Sequence, residues 1–292
     1  MTLLVKSVVV AISMYVFLKI FFLYQKLPES LLQTPNKLRL IITGFIANIA
    51  DTLGLGNFAV VVAFNKNWKL IDDKKLPGTL NGHSILPAMV QSLLFLKFVD
   101  LDILTLIVLV LGACVGSLYS SHLVVRLNKQ TIRLAMSLGF FSIGLLIFAN
   151  QMGFLPLAGK EIALGADKLS IGFFAMIFAG MVPSIGVGIY APIQVILFFL
   201  GLSPLVAFPI MTTAGAIVQS MTALTFTTNN EIELKETLLL TFSGIIGVAV
   251  AVPFITYVNL YFLRWGLFSV VIYNAATIWH TYHKEKTSTT NP

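Results

Sequence analysis

The sequence has 292 residues, of which 57% are apolar and only 11% charged, with a mean hydropathy of +0.91 and a formal net charge of +7. A soluble domain carries about 25% charged residues, so this chain cannot cover a water-facing surface and its solvent must be lipid. The basic excess sits in short loops between apolar runs, which points to orientation in a membrane and away from nucleic acid, and the single cysteine, Cys114, rules out an intramolecular disulfide, a CxxC redox pair or a zinc cage.

An apolar run over 5–24 opens the chain. It is too long for a secretory leader, and 25–28 offers no small-residue cleavage site, so it predicts a retained membrane helix. Further apolar runs follow at 39–64, 79–98, 102–124, 131–150, 170–201, 203–227, 236–258 and 260–282. A helix crossing a hydrocarbon core of ~30 Å needs about 20 such residues. The most charged loop, 65–77, holds Lys66, Lys69, Asp72, Asp73, Lys74 and Lys75, and the tail after His283 is polar.

Two runs differ from the rest. The run 39–64 has Asp51-Thr52-Leu53-Gly54-Leu55-Gly56-Asn57 at its centre, and 170–201 has Pro183-Ser184-Ile185-Gly186-Val187-Gly188. Glycine and proline favour departure from a helix, and bare backbone at membrane depth survives only against protein or a watery cavity. Each run therefore predicts two half-helices joined by a non-helical tip.

The two runs also align with each other at an offset of 132 residues. That offset pairs Leu53-Gly54-Leu55-Gly56 with Ile185-Gly186-Val187-Gly188, Ala47 with Ala179, Pro77 with Pro209, Met89 with Met221 and Gly112 with Gly244. One residue less pairs Asn128 with Asn259 and Arg133 with Arg264. The expected organisation is an N-terminal helix and linker over 1–38, repeat one over 39–150, a connecting loop over 151–171, repeat two over 172–282 and a polar tail over 283–292.

Loop charges give a topology. If each broken run re-enters on one face, Lys26, Lys37, Arg39, Lys66, Lys69, Lys74, Lys75, Arg126, Lys129, Arg133, Lys235, Lys284 and Lys286 share a side, against Lys6, Lys97, Lys160, Lys168 and Arg264 on the other. That bias marks the first side as cytoplasmic. The expected fold is all-α, with seven spans and two hairpins in two inverted repeats and the C-terminus inside. Inverted repeats with helix breaks at the midplane are the plan of many secondary transporters.

The residues that carry the repeat also carry a resemblance. Gly44-Phe45-Ile46-Ala47 leading into Leu53-Gly54-Leu55-Gly56, and Ala179-Gly180 leading into Gly186-Val187-Gly188, resemble the two signatures of the sulfite exporter TauE/SafE family. The segments 79–81 and 209–213 are similar to the helix starts that follow those signatures, and Gly112 to Gly116 with Arg126-Leu127 and Arg133 to the later part of repeat one. Asp51, Asn57 and Pro183 depart from the family's glycine-rich pattern. The resemblance implies a cell-membrane permease that exports sulfite, a sulfonate or another small oxyanion. Uptake of a small carboxylate, or a non-transport role in a membrane assembly, is the alternative.

The candidate solute site is the pair of tips. A half-helix that starts at the midplane presents unpaired N–H groups and the positive end of its dipole, which favour an anion. Gly54, Gly56 and Asn57 would face Gly186 and Gly188 across the anion, with Thr79, Asn81, Thr212 and Thr213 completing its shell. Asp51 is either the acid that binds a coupling proton or sodium ion, since a desolvated carboxyl takes up a proton more readily, or the N-cap of the half-helix after it. His83 is a second candidate for coupling or gating. Gln91, Gln194, Gln219 and Asn274 read as hydrogen-bonding groups between helices. No metal cluster, cofactor motif, nucleotide-binding loop or hydrolase elbow stands in the sequence. The expected partners are lipid, a small anionic solute, a proton or sodium as coupling ion and, as a candidate assembly, a homodimer.

Overall fold

The structure, a computed structural model, describes residues 2–28, 36–54, 56–96, 102–155, 159–254 and 260–290. Leu55, Lys97 and Asn259, which enter the sequence reading, lie outside them. The described residues form eleven α-helices: α1 (Thr2–Gln25), α2 (Lys37–Thr52), α3 (Asn57–Trp68), α4 (Leu76–Phe95), α5 (Ile103–Val124), α6 (Lys129–Gln151), α7 (Ala166–Met181), α8 (Tyr190–Phe199), α9 (Pro204–Thr228), α10 (Leu234–Ala251) and α11 (Leu260–Thr290). Short 3-10 turns follow α7 at Val182–Ile185 and α10 at Val252–Phe254. Local chemistry sets the ends. Asp102 accepts the Thr105 N–H at 2.8 Å to start α5, and Asn128 accepts that of Thr131 at 2.8 Å to start α6.

Six helices are long and apolar enough to cross a bilayer: α1, α5, α6, α7 with its 3-10 turn, α9 and α10. They carry exposed rows of large apolar side chains, such as Leu104, Leu111, Val115 and Leu118 on α5 and Ile171, Phe174 and Phe178 on α7. Rows of this extent belong against lipid, and the chain is built as a multi-pass membrane protein. The set differs from the seven expected spans at α11, which is not among the six, at α7, expected as one arm of a hairpin, and at α4, also absent from the six. This 20-residue helix is long enough, yet it carries Thr79, Asn81, His83, Ser84, Gln91 and Ser92, all buried. It packs most heavily on α9 and α10, with α1 beside it, so it meets protein where its neighbours meet lipid. A helix so enclosed has no need to be apolar.

Both runs with glycine-rich centres are broken. α2 stops at Thr52 and α3 starts at Asn57; α7 and its 3-10 turn stop at Ile185 and α8 starts at Tyr190. Each pair returns to the end of the bundle from which it came. The Arg39 guanidinium at the start of α2 lies 5.6 Å above the Trp68 ring at the end of α3. At the opposite end Lys168 of α7 pairs with Glu161 at 2.7 Å, and Glu161 forms an isolated parallel bridge with Leu202, just past α8.

The charged loops gather at the Arg39 end. Asp73 pairs with Arg133 at 2.7 Å and Lys66 at 3.0 Å, Asp72 with Lys129 at 2.6 Å, Lys74 with Glu231 at 2.5 Å and Lys75 with Glu233 at 3.4 Å; Arg133 also pairs with Glu285 near the C-terminal end. Loops 65–78, 125–133 and 228–236 and the end of α11 thus share one face, the grouping expected for re-entrant hairpins.

The most extensive helix contacts are α2 with α10 and α5 with α7, followed by α4 with α9 and α6 with α11. Glycine makes the first two possible. Gly44 and Gly247 bring α2 and α10 together until backbone touches backbone, and Gly112, Gly116 and Gly180 do so for α5 and α7. A methyl group at Gly116 would overlap the Ile177 carbonyl oxygen. Without a hydrophobic force between helices in lipid, such close packing is what holds them.

Two outcomes are expected. Gly116→Ala costs about 1–3 kcal/mol by overpacking, read as a fall in unfolding temperature in detergent, whereas Gly165→Ala, where an added methyl meets nothing, leaves it nearly unchanged. The second outcome concerns acid. Burial alone would raise the Asp73 pKa, but Lys66 and Arg133 outweigh it and hold the carboxyl below its ordinary range. A depressed folded pKa gives stability that is present above about pH 4, the unfolded value, and lost as pH falls through the folded one. Unfolding temperature therefore drops as pH is lowered below about 4, and Asp73→Asn shrinks that drop while costing about 1–3 kcal/mol at neutral pH.

Candidate functional site

Where the two breaks approach each other the bundle holds a partly open cavity of about 110 Å³. Its floor is Asp51, Thr52, Gly54 and Gly56 from the first tip, with Gly188 and Tyr190 of the second beside them. Gln91 of α4 and Thr212 of α9 add polar groups, and Phe95, Phe140, Phe198 and Phe208 stand in the walls. Asn150 at the end of α6 and Arg264 at the start of α11 line the opposite part, and Arg264 donates to the Asn150 side chain at 3.0 Å. Arg264 is half-buried and has no acidic partner among the described residues.

The first tip turns because two of its glycines take positive φ, +95° at Gly54 and +74° at Gly56, a backbone that side-chain-bearing residues rarely adopt. Asp51, only 5% exposed, then folds back over the start of α3. Its Oδ1 accepts the Asn57 N–H at 2.9 Å, and its Oδ2 accepts from Gln91 Nε2 at 2.9 Å. The Asn57 side chain turns away from the cavity, donating to Ser84 Oγ at 2.8 Å. Thr52 Oγ1 donates to the Asn48 carbonyl at 2.7 Å, which ties the tip to its own helix.

The second tip differs. Gly186 has φ +81° and packs where an added side chain would meet Met136 and Leu80. The Asn81 amide donates to the Pro183 carbonyl at 2.8 Å, and Ser184 Oγ to Ser120 Oγ at 2.9 Å. The start of α8 has no side-chain cap, and its first residue, Tyr190, reaches α4, where its hydroxyl donates to Gln91 Oε1 at 3.2 Å.

No family model, curated protein or solved structure matches this chain.

The structure thus gathers only part of the expected constellation around one space. Asp51, Gly54, Gly56, Gly188 and Thr212 line the cavity. Asn57 contributes its backbone N–H, and that group is engaged by Asp51, not left open for a solute. This corrects the expectation of a bare helix start at the first tip: Gly56 holds the N-cap position, and the Asp51 carboxylate reaches the first N–H of α3 from the last turn of α2. Thr79 lies near the charged end, accepting the Glu233 N–H at 3.0 Å; Asn81 and Gly186 belong to the packing of the second tip, and Thr213 shares a hydrogen bond of 3.0 Å with Ser92. His83 is also outside the cavity. Its ring is fully buried 6.5 Å from that of Phe58, and neither nitrogen has a hydrogen-bond partner among the described residues.

Four lining residues come to light only in three dimensions. Gln91 and Gln194 look like helix-packing amides in the sequence, and Arg264 looks like a loop charge. Tyr190 carries one signal, its position two residues beyond Gly188 at the start of a half-helix. Among the described residues no group of three or more His, Cys, Asp or Glu side chains comes together as a metal site.

The cap accounts for the local fold and is open to test. Asp51→Ala removes the acceptor of the Asn57 N–H and costs about 1 kcal/mol. Asp51→Asn keeps an oxygen for that bond and costs less. The order of the unfolding temperatures, native above Asn above Ala, checks it.

Proposed function

We propose that the protein is a secondary transporter of a small organic anion, with the cavity between the two helix breaks as its solute site. The observation that carries this reading is the cavity itself: a space at the meeting of two broken helices, holding one half-buried guanidinium, Arg264, and the uncapped start of α8. Both favour negative charge. Its aromatic walls suit an anion with a carbon body, so a sulfonate fits better than bare sulfite, and the resemblance to the TauE/SafE family points to the same organosulfur class. A guanidinium also reads carboxylates, and small carboxylates are the second candidate class.

Alternating access follows from the repeat. Exchange α2 with α7, α3 with α8, α4 with α9, α5 with α10 and α6 with α11, and each principal contact turns into another that exists: α2–α10 into α7–α5, α4–α10 into α9–α5, α3–α11 into α8–α6. The hairpins enter from opposite ends. This reciprocity supports two inverted repeats, each half gripping the first arm of the other's hairpin. Rocking one half against the other would open the cavity to either side in turn. Substrate flux then runs with its gradients, export being the direction the resemblance implies, across a cell membrane with the basic face and C-terminus inside.

Anion-dependent stabilisation tests the reading. Methanesulfonate, sulfoacetate, sulfite, sulfate and a set of small carboxylates are added to purified protein in detergent. A ligand at 100 times its Kd raises native stability by about 2.7 kcal/mol. The expected result is a rise in unfolding temperature selective for organic anions and lost in Arg264→Gln. No rise from any anion would overturn it.

A further inference from the structure

One side chain joins the two broken helices. Gln91 Nε2 donates to Asp51 Oδ2 at 2.9 Å and to Thr52 Oγ1 at 3.3 Å in the first, while its Oε1 accepts the Tyr190 hydroxyl at 3.2 Å in the second. Gln91 is 2% exposed. The chain of bonds has a direction, with the amide oriented by the network around it. Tyr190 donates to Gln91, Gln91 donates to Asp51, and Asp51 accepts at both oxygens, the second bond coming from the Asn57 N–H. Such an arrangement is matched to an ionised carboxylate, which is acceptor-only.

A proton on Asp51 breaks the match. Oδ2–H then needs an acceptor, and it faces an N–H₂ group. The nearest remedy is reversal of the Gln91 amide, which presents Oε1 to Asp51 and Nε2 to the Tyr190 oxygen. The charge on the first tip is thereby felt at the first residue of α8.

The charges around the cavity say when such a proton is needed. Among the described residues, α10, the helix packed most heavily on α2, turns Leu240, Ser243, Gly244 and Gly247 toward it, and its titratable groups, Lys235 and Glu236, sit in its first turn, where Lys235 faces Lys37 at the end of α2 remote from Asp51. α3 presents Ala59 and the Asn57 backbone N–H, α4 presents Gln91, with His83 held apart against Phe58, α8 presents Tyr190, and α9 presents Thr212. α6 and α11 present Asn150 and Arg264 across the cavity. Lys37 and Arg39 sit at the far end of α2. The cavity thus holds one cation and one carboxylate and is neutral when empty. An anion beside Arg264 leaves it with an uncompensated negative charge in a medium where such charge is costly. One proton, taken from water onto Asp51 Oδ2, restores neutrality.

We propose that Asp51 is the binding site of a coupling proton, taken up one for one with the anion, and that Gln91 passes its charge state to Tyr190 by reversing its amide. Asp51 carries the proton, and Gln91 is a positioning residue that acts through it. The inference rests on the anion reading of the cavity.

Methanesulfonate, anionic at every working pH, is the probe. Added to native protein in weak buffer with a pH-indicator dye, it is expected to bind with uptake of about one proton, its Kd rising by about tenfold per pH unit where Asp51 is ionised. Asp51→Asn binds it with no proton uptake and no pH dependence. Infrared difference spectra on binding show a protonated-carboxyl band that Asp51→Asn lacks and a tyrosine band shift that Tyr190→Phe lacks. Gln91→Leu keeps the proton uptake and loses the tyrosine shift. Binding of methanesulfonate by the native protein without proton uptake overturns the proposal and leaves the anion reading standing. No binding at any pH overturns both, and a tyrosine shift that survives in Gln91→Leu overturns the relay alone. The dye measurement on native protein decides the coupling even where a variant fails to fold.

Discussion

The structure depends on one backbone problem and its solution. A helix interrupted inside a membrane leaves N–H and C=O groups without partners, and lipid supplies none. At the first break Asp51 answers by accepting the Asn57 N–H. At the second, Asn81 donates to the Pro183 carbonyl, while Gly186 N–H closes the turn onto the same oxygen at 2.9 Å. Each answer needs a polar partner from α4, Gln91 in one case and Asn81 in the other. α4 is therefore polar along much of its length, and it can be so only because other helices enclose it.

Enclosure in turn sets the composition of the interfaces around it. The two contacts that close the bundle, α2 with α10 and α5 with α7, are lined by glycines at which a methyl group would strike a neighbouring backbone or side chain. Small residues here work as spacers that bring backbones together, and their chief consequence lies elsewhere, in the enclosed interior that α4 occupies. Lipid-facing rows on α5, α6, α7 and α10 are apolar for the opposite reason. Polar residues inside and apolar residues outside make a sound membrane protein, the inverse of a soluble one.

Much of this architecture was legible in the sequence because it follows from periodicity and punctuation. The charge-poor runs at 102–124, 131–150 and 203–227 foretold helices, and the glycine pairs at 54/56 and 186/188 foretold the breaks. The basic loops foretold which ends lie together, since Asp72 and Asp73 find Lys66, Lys129 and Arg133 across that face. The site was legible at the tips and, among the candidates beyond them, only at Thr212. Whether Thr79 or Thr212 faces a cavity turns on the rotation of a helix about its axis, and a helix whose whole circumference is buried gives no hydrophobic stripe from which to read it. Gln91 shows the same limit: an amide that ties helices and an amide that joins two helix breaks are one residue type in the same kind of run. The choice between a capped and an open helix start at Asn57 likewise needed the direction of Asp51.

The 132-residue offset sharpens the question of where the proposed function resides. A site with strict twofold symmetry would treat both tips alike, yet the pairs at matched positions diverge. Asp51 corresponds to Pro183 at the 132-residue offset, so an acid caps one tip while the other has none. Arg133 corresponds to Arg264 one residue off; the first is 5% exposed and neutralised by Asp73 and Glu285, while the second lines the cavity beside Asn150. Among the described residues one acid, Asp51, and one cation, Arg264, line the cavity. Divergence left one of each, drawn from opposite halves, with Gln91 and Tyr190 between the two helix breaks. On the proposed function, two similar halves would rock between equivalent arrangements, and what they bind would be set by the few positions at which they have stopped being similar.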